Sequence, residues 1–551
     1  MDSPRFRRYL VLLTFLVFSA IRQMCGQTAP DKYWVQFTDK EGIEETIDQP
    51  RYFLSARAIQ RRSAQKIDIT AQDLPVSHAY IDLILALQDS IEIINVSKWF
   101  NAITIHTSDS LLIEEIANLP FVSGTRSVQA HHNRKELPPL KRVESQAQST
   151  DEYGASGAQT TIHGAQLLHE MGFWGKGMHI AVLDAGFRKA DVLPVFDKLH
   201  NEGRLMDTRD FVDGDNNVFH ASTHGMMVLS TMAGFEPDSL IGTAIDANYY
   251  LYRTEDGSQE NVIEEDNWIA AAEHADSIGV DLINTSLGYT TFDDSTSNYT
   301  YANMDGNTSR ITKASDIAAS KGILLVTSAG NSGNGVWHFI GAPGDADSVL
   351  TVGAVDRSGE HAFFSSFGPT ADGRIKPDVM AIGEQSTIAR TDSTYIPGNG
   401  TSFSAPIMCG LVACFWQAFP EKNNMEIIEA VKRSSSLYSM PNDSMGYGIP
   451  NFWQAFSAFQ ANIESNTLNF QAFPNPFQET LVITFEASDK NSVNIRLMDA
   501  LGKEIEATCN FVSDGAQMLC RLDLTALSEG LYYLNIHADS QSLVHRLLKT
   551  E

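Results

Sequence analysis

The spacing of apolar residues changes character several times along the chain, and each change marks a boundary. Residues 9–21, "YLVLLTFLVFSAI", form one unbroken apolar run behind Arg5, Arg7 and Arg8. A membrane-spanning helix takes about 20 such residues. The shorter run fits a cleavable secretory signal better than an anchor, and 1–26 is assigned to it. Residues 27–130 then mix two periods. "YWVQF" reads as a strand. "SHAYIDLILALQDS" repeats as an amphipathic helix with Tyr80, Leu83, Ile84 and Leu87 on one face. "IEIINVSKWFNAITIHT" gives two strands, "DSLLIEEIANLP" a helix capped by Asp109 or Ser110, and "FVSGTRSVQ" a last strand. Strand-helix-strand-strand-helix-strand is the split βαβ order, with "LSARAIQRRSAQ" as an extra helix inserted in it.

Residues 131–155 are polar, and Pro138-Pro139 blocks a helix there, so an exposed linker open to proteolytic nicking is expected. From 156 to 460 the rhythm becomes α/β. The strands "HIAVLD", "YYLYR", "DLINTSLG", "ILLVTSAGN" and "LTVGAVD" alternate with helices near 261–278 and 311–320. Strands this uniformly apolar belong to a parallel sheet covered on both faces, where function collects at the carboxyl ends. From 468 to 551, five evenly spaced strands with Gly, Asn, Asp and Ser between them read as a small all-β sandwich.

The whole chain of 551 residues is long enough for several domains, and its formal charge of −28 argues against nucleic acid as a partner. No later segment reads as a transmembrane helix. Of five cysteines, Cys25 falls in the signal; Cys409 and Cys414 read as small buried residues; Cys509 and Cys520 flank a hairpin and are left open as a pair. No Cys/His spacing suggests zinc.

Four polar residues stand at strand or helix ends of the α/β region. Asp184 ends "HIAVLDAG", His224 opens "HGMMVLSTMAG", Asn331 ends "ILLVTSAGN", and Ser402 lies in "GNGTSFSAP" at the start of a helix. Each alone suits a turn or a cap. Together they meet the needs of acyl transfer. A serine needs a base, the base needs a carboxylate to hold its tautomer, and the intermediate needs an oxyanion donor. Gly400 gives a substrate backbone room, and Pro406 is expected to be tolerated near the first helical turn.

The order Asp, His, Ser with "VLDAG", "HG-x-x-V", "SAGN" and "GTSFSAP" resembles the subtilisin-like serine proteases over 156–460. The fixed letters of the last motif arise by chance in on the order of 10⁻⁵ to 10⁻⁴ of chains this long. The resemblance implies a secreted endopeptidase with a subtilisin-like parallel-sheet domain. It implies that Ser286, Leu287 and Gly288 pair with an extended substrate, and that Ala329 and Gly330 wall the specificity pocket. It implies no cofactor in the bond chemistry. Structural calcium is common in the family, but "DFVDGDNN" (210–217) lacks EF-hand spacing and reads as a solvated turn. Ala185 and Met226 depart from the usual hydroxyl residues after the Asp and the His-Gly. Residues 27–130 resemble an inhibitory propeptide. "FPNPF", "MDALGKEI", "LSEGLYYLNI" and "HRLLKT" resemble the sorting domain of type IX secretion substrates in Bacteroidetes, which implies export through the periplasm to the surface or medium. The expected partners are therefore protein or peptide substrates, the chain's own propeptide, and the secretion machinery. Two rivals stand beside this reading: an inactive surface binding or adhesion protein on the same scaffold, and an esterase using the same triad.

Overall fold

A computed structural model describes residues 30–130, 153–464 and, from 470 to 550, all but 487–492, 501, 506–508, 515–516 and 539–540. The signal segment and most of the expected linker lie outside the described residues.

The first layer is a four-stranded antiparallel sheet of β1 (Pro30–Phe37), β2 (Glu92–Ser97), β3 (Ala102–His106) and β4 (Val122–Ala130), in the order β2-β3-β1-β4. Helix α1 (Ala56–Ala64) is inserted between β1 and α2 (His78–Leu85), and α2 and α3 (Ser110–Ala117) cover the sheet. This is the expected split βαβ order with α1 inserted. Asp109 caps α3, its side chain accepting from Leu111 N at 3.0 Å. The predicted apolar face of α2 holds except at Leu83, which is 53% exposed. The helix makes only two turns, and it rolls so that Ile81 and Leu85 join Tyr80 and Ile84 against the sheet.

The second body is built on seven parallel strands. In chain order these are β5 (His179–Asp184), β6 (Leu205–Asp210), β7 (Asn248–Arg253), β8 (Leu282–Thr285), β9 (Leu324–Ser328), β10 (Leu350–Val355) and β11 (Val379–Ile382). Their order across the sheet is β11-β10-β9-β8-β5-β7-β6. Its helices include α4 (His224–Ala233), α5 (Ile263–Ile278), α6 (Arg310–Ser320), α7 (Thr401–Ala418), α8 (Asn424–Arg433) and α9 (Phe452–Glu464). Two buried clusters cover the sheet. One holds Val182, Leu251 and Val326 with α4 and α7; the other holds Leu183, Ile283 and Leu325 with α5 and α6. Helix α7 is long and apolar enough to cross a membrane, but most of it is buried inside this core. Cys409 and Cys414 sit buried and free on it, as expected. Asp378, just before β11, is 2% exposed and joins Lys376 at 2.6 Å and Lys432 of α8 at 2.8 Å. Removing one partner of such a buried set costs about 3–5 kcal/mol, so this set pins α8 to the sheet.

Two boundaries differ from expectation. Tyr153 is buried with Ile241 and Ile245, Gly154 pairs with Leu240, and Ala155 N donates to Ser239 O at 3.1 Å. These three residues are therefore part of the α/β body and not of the linker, because the tyrosine ring finds a pocket that its polar neighbours in the sequence did not advertise. "DLINTSLG" keeps strand geometry only to Thr285, and residues 286–288 run on beyond the sheet.

The last body is a sandwich of two four-stranded antiparallel sheets. Cys520 is disulfide-bonded. On Gly530–Ala538, Tyr532, Leu534 and Ile536 fill the sandwich core. Tyr533 points the other way and meets Trp453 of α9 edge-on at 5.7 Å.

Candidate active site

Asp184 ends β5, and His224 opens α4. Their approach depends on two glycines. Gly186 has φ 132°, a region that favours glycine, and Gly225 N donates to Gly186 O at 3.0 Å. A Cβ on Gly225 would stand 2.7 Å from that carbonyl and 2.9 Å from Asp184 Cβ. Without side chains there, the helix start abuts the strand end. His224 Nδ1 then donates to Asp184 Oδ1 at 2.8 Å, with Oδ2 at 3.0 Å. Asp184 is 2% exposed, and Ala185 N donates to its Oδ1 at 2.7 Å. Burial disfavours the imidazolium, but the Asp184 carboxylate and its hydrogen bond outweigh burial and raise the His224 pKa above its ordinary value. Met226, where a hydroxyl residue is usual, is fully buried in the core behind the site.

Ser402 is the second residue of α7, after Gly400 at φ 151°. Phe403 next to it lies 6.2 Å from the His224 ring, centroid to centroid. Ser402 Oγ itself donates to the Ser286 carbonyl, at 3.4 Å. Pro406 lies inside the helix, not in its first turn, which corrects the expectation. Its missing N–H would have bonded the carbonyl four residues back, that of Ser402. The freed carbonyl accepts instead from Ser286 Oγ at 2.9 Å. Ser286 and Ser402 thus clasp each other, and the proline makes the clasp possible.

Asn331 follows β9. Its Oδ1 accepts from Thr401 N at 2.8 Å and Thr401 Oγ1 at 3.1 Å, which fixes the amide so that only Nδ2 remains to donate outward. Thr401 Oγ1 also receives Gly330 N at 3.1 Å. Sequence reasoning missed this orienting role of Thr401, although the motif letter was in view.

One cavity of about 190 Å³ gathers Ser286, Leu287, Gly288, Ala329, Gly330, Asn331 and Ser402. All five expected substrate-contact residues meet there with Ser402 and the Asn331 amide. Trp337, Phe339 and Thr290 also line it and were not anticipated; the two aromatics fall in residues 332–342, which carry no period. Among the described residues no acidic or basic side chain lines it. Behind it, Tyr289 donates to Glu255 at 2.6 Å, and burial pushes that carboxyl up to about 8.

The acidic turn at 210–217 does not fit calcium. Asp210, Asp213 and His220 bring ligand atoms within 4.8 Å of one another. Arg253 Nη1 already lies 2.7 Å from Asp210 and 2.6 Å from Asp213, supplying the positive charge a metal would bring.

Residues 175–448 match the subtilase family model, 32–146 the peptidase S8 propeptide domain of Bacteroidota, and 471–550 the secretion system C-terminal sorting domain. A thermostable alkaline protease of Halalkalibacterium halodurans is 25% identical over 336 residues, 60% of this chain and 82% of the relative. Subtilisin DY of Bacillus licheniformis is 28% identical over 298 residues, 53% of this chain and 96% of the relative. The structure of MycP1 from the ESX-1 type VII secretion system aligns at TM-score 0.46 and 21% identity, covering 59% of this chain and 90% of that one.

Proposed function

The chain belongs to the subtilase family and is a secreted serine-type endopeptidase made as a zymogen; from that premise we propose that Asp184, His224, Ser402 and Asn331 carry its chemistry. The observation that bears most weight is the bonded Asp184–His224 pair beside a helix start that presents Ser402, with Asn331 lining the same cavity. Among the described residues His224 Nε2 has no hydrogen-bond partner, which leaves it to act as the base. When a peptide enters, the Ser402 hydroxyl turns from Ser286 toward it, since an sp³ side chain moves readily between staggered positions. His224 takes the proton as Ser402 attacks the scissile carbonyl, and later gives it to the leaving amine. Asp184 favours the imidazolium formed between those steps. Asn331 Nδ2 and backbone N–H groups at the start of α7 stabilise the oxyanion. Residues 286–288 hold the peptide in extended form. No cofactor takes part in bond making or breaking, and because Arg253 already pairs with Asp210 and Asp213, that cluster is not assigned to calcium.

Asn331→Ala should leave KM nearly unchanged and lower kcat by about 10²–10³, equivalent to roughly 2.7–4 kcal/mol of transition-state stabilisation. Steady-state kinetics on a peptide substrate reads both constants. A raised KM with kcat intact would assign Asn331 to ground-state binding instead.

The C-terminal sorting domain directs the enzyme through type IX secretion to the surface or medium, and the route we infer passes through the periplasm. A fluorophosphonate probe with cell fractionation tests activity and route together. The label should sit on Ser402 and appear outside intact cells, and deletion of 468–551 should leave it in the periplasm. An unlabelled chain would favour the inactive-scaffold reading. Label in the medium after truncation would remove the sorting role.

A further inference from the structure

The inserted helix α1 has no place in the split βαβ sheet, and it spends its polar side chains on the catalytic domain. Arg61 reaches Asp276 Oδ1 at 2.5 Å and donates to the carbonyls of Lys321, at 3.2 Å, and Val280. Arg62, 1% exposed, bonds Asp276 at 2.7 Å and Asp73 at 3.0 Å, and Asp73 in turn meets Lys321 at 3.2 Å. Arg57 pairs with Asp281 and donates to the Gly279 carbonyl at 2.9 Å. Gln65 donates to Gly322 O at 2.8 Å. Two glycines admit the helix. A Cβ on Gly279 would come within 2.6 Å of Ala58 N, and one on Gly322 within 2.9 Å of Gln65.

These contacts cluster where α5 runs into β8 and α6 into β9, at the amino ends of the strands. The catalytic groups follow the carboxyl ends of the same strands: Ser286 after β8 and Asn331 after β9. At about 3.3 Å per residue, the six steps from Val280 to Ser286 span at most roughly 20 Å. The anchor is therefore remote from the cleft.

We propose that the amino ends of β8 and β9 form an arginine-binding exosite, occupied by helix α1 of the propeptide, that keeps the propeptide on the catalytic domain after the connection between them is cut. The inference rests on the reading of residues 30–130 as an inhibitor of this enzyme. Its chemistry is specific. A guanidinium offers five donors in a planar fork, and the exosite offers the Asp276 and Asp281 carboxylates among oriented carbonyls. Burial alone would push the Asp276 carboxyl up, but Lys98, Arg61 and Arg62 hold it down at about 2, so it stays ionised under all ordinary conditions. The buried charges are also little screened by salt. Cutting the linker changes none of these contacts, so the inhibitor remains bound at high local concentration until the exosite lets go or the propeptide is digested.

The test uses the full chain with Ser402→Ala, so that nothing digests the propeptide, and with a recognition site for an unrelated protease placed within 131–152. After cutting, gel filtration follows the 30–130 fragment. With the exosite intact, the fragment should stay with the catalytic domain. Asp276→Asn on one side, and Arg57→Ala with Arg61→Ala on the other, should each speed its release by about 30-fold or more. Thermal melting before cutting selects folded variants, and having one variant on each partner guards against misfolding of either. Retention equal to the parent in folded variants from both sides would overturn the exosite. Because Ser402 is already gone, that result leaves the triad untouched, and loss of the triad assignment leaves this one standing.

Discussion

Ser402→Ala should abolish peptidase activity, lowering turnover on the order of 10⁶-fold while the protein remains folded. The substitution removes one oxygen whose hydrogen bond, to the Ser286 carbonyl at 3.4 Å, is long. The interactions that fix the helix start survive it. The Ser402 main-chain carbonyl still receives Ser286 Oγ, and Thr401 still holds Asn331. Alanine is also the best helix former. Stability should therefore change little, and loss of activity reports the missing nucleophile alone. Turnover of casein and a thermal melt on the same preparation check both halves. The variant should also keep residues 30–130 covalently attached in a host without other proteases of suitable specificity. A loss of less than about tenfold in turnover would mean that another group attacks the peptide.

The residues proposed to carry the chemistry were legible as candidates in the sequence because each stands at the end of a regular element, where the apolar pattern stops and a polar letter follows. The sheet was legible for the same reason, since β5, β7, β8, β9 and β10 are apolar on both faces. What the sequence hid was of three kinds. The aromatic wall of the cavity, Trp337 and Phe339, sits in a stretch with no period. The role of Pro406 depends on Ser286, more than a hundred residues away, whose hydroxyl takes up the carbonyl that the proline frees. The buried Arg61 and Arg62 belong to a helix that looks solvent-facing, because their partner Asp276 is supplied by another domain. Leu83 failed in the opposite sense: an apolar position on the right period is left exposed because the helix is short. Local pattern predicts what an element buries against its own neighbours, and it is blind to pairings made across the chain.

Asp184→Asn should lower kcat by about 10⁴-fold with little change in KM, and should move the acid limb of the pH profile to lower pH. The geometry says why an isosteric change is so costly. Ala185 N–H points at Oδ1 from 2.7 Å and requires an acceptor there. The asparagine oxygen takes that place, and its NH₂ falls where Oδ2 stood, 3.0 Å from His224 Nδ1. That NH₂ crowds the Nδ1–H donor, and the Asn oxygen, though still 2.8 Å from Nδ1, already accepts from Ala185 N–H and carries no charge, so the tautomer with the proton on Nε2 is favoured. That nitrogen then has no lone pair to receive the Ser402 proton. The pH shift follows from charge. In the parent, the carboxylate overcomes burial and raises the His224 pKa, so activity climbs as pH rises through that raised value and the ring becomes neutral. In the variant only burial remains, the pKa falls, and the residual activity reaches its plateau at lower pH. Profiles of kcat/KM for the two proteins on one substrate make the comparison. A loss of rate with the acid limb unmoved would mean that the group titrating there is not His224 in contact with Asp184. A limb that moved with the rate intact would mean that Asp184 tunes the histidine's charge but does not set its tautomer.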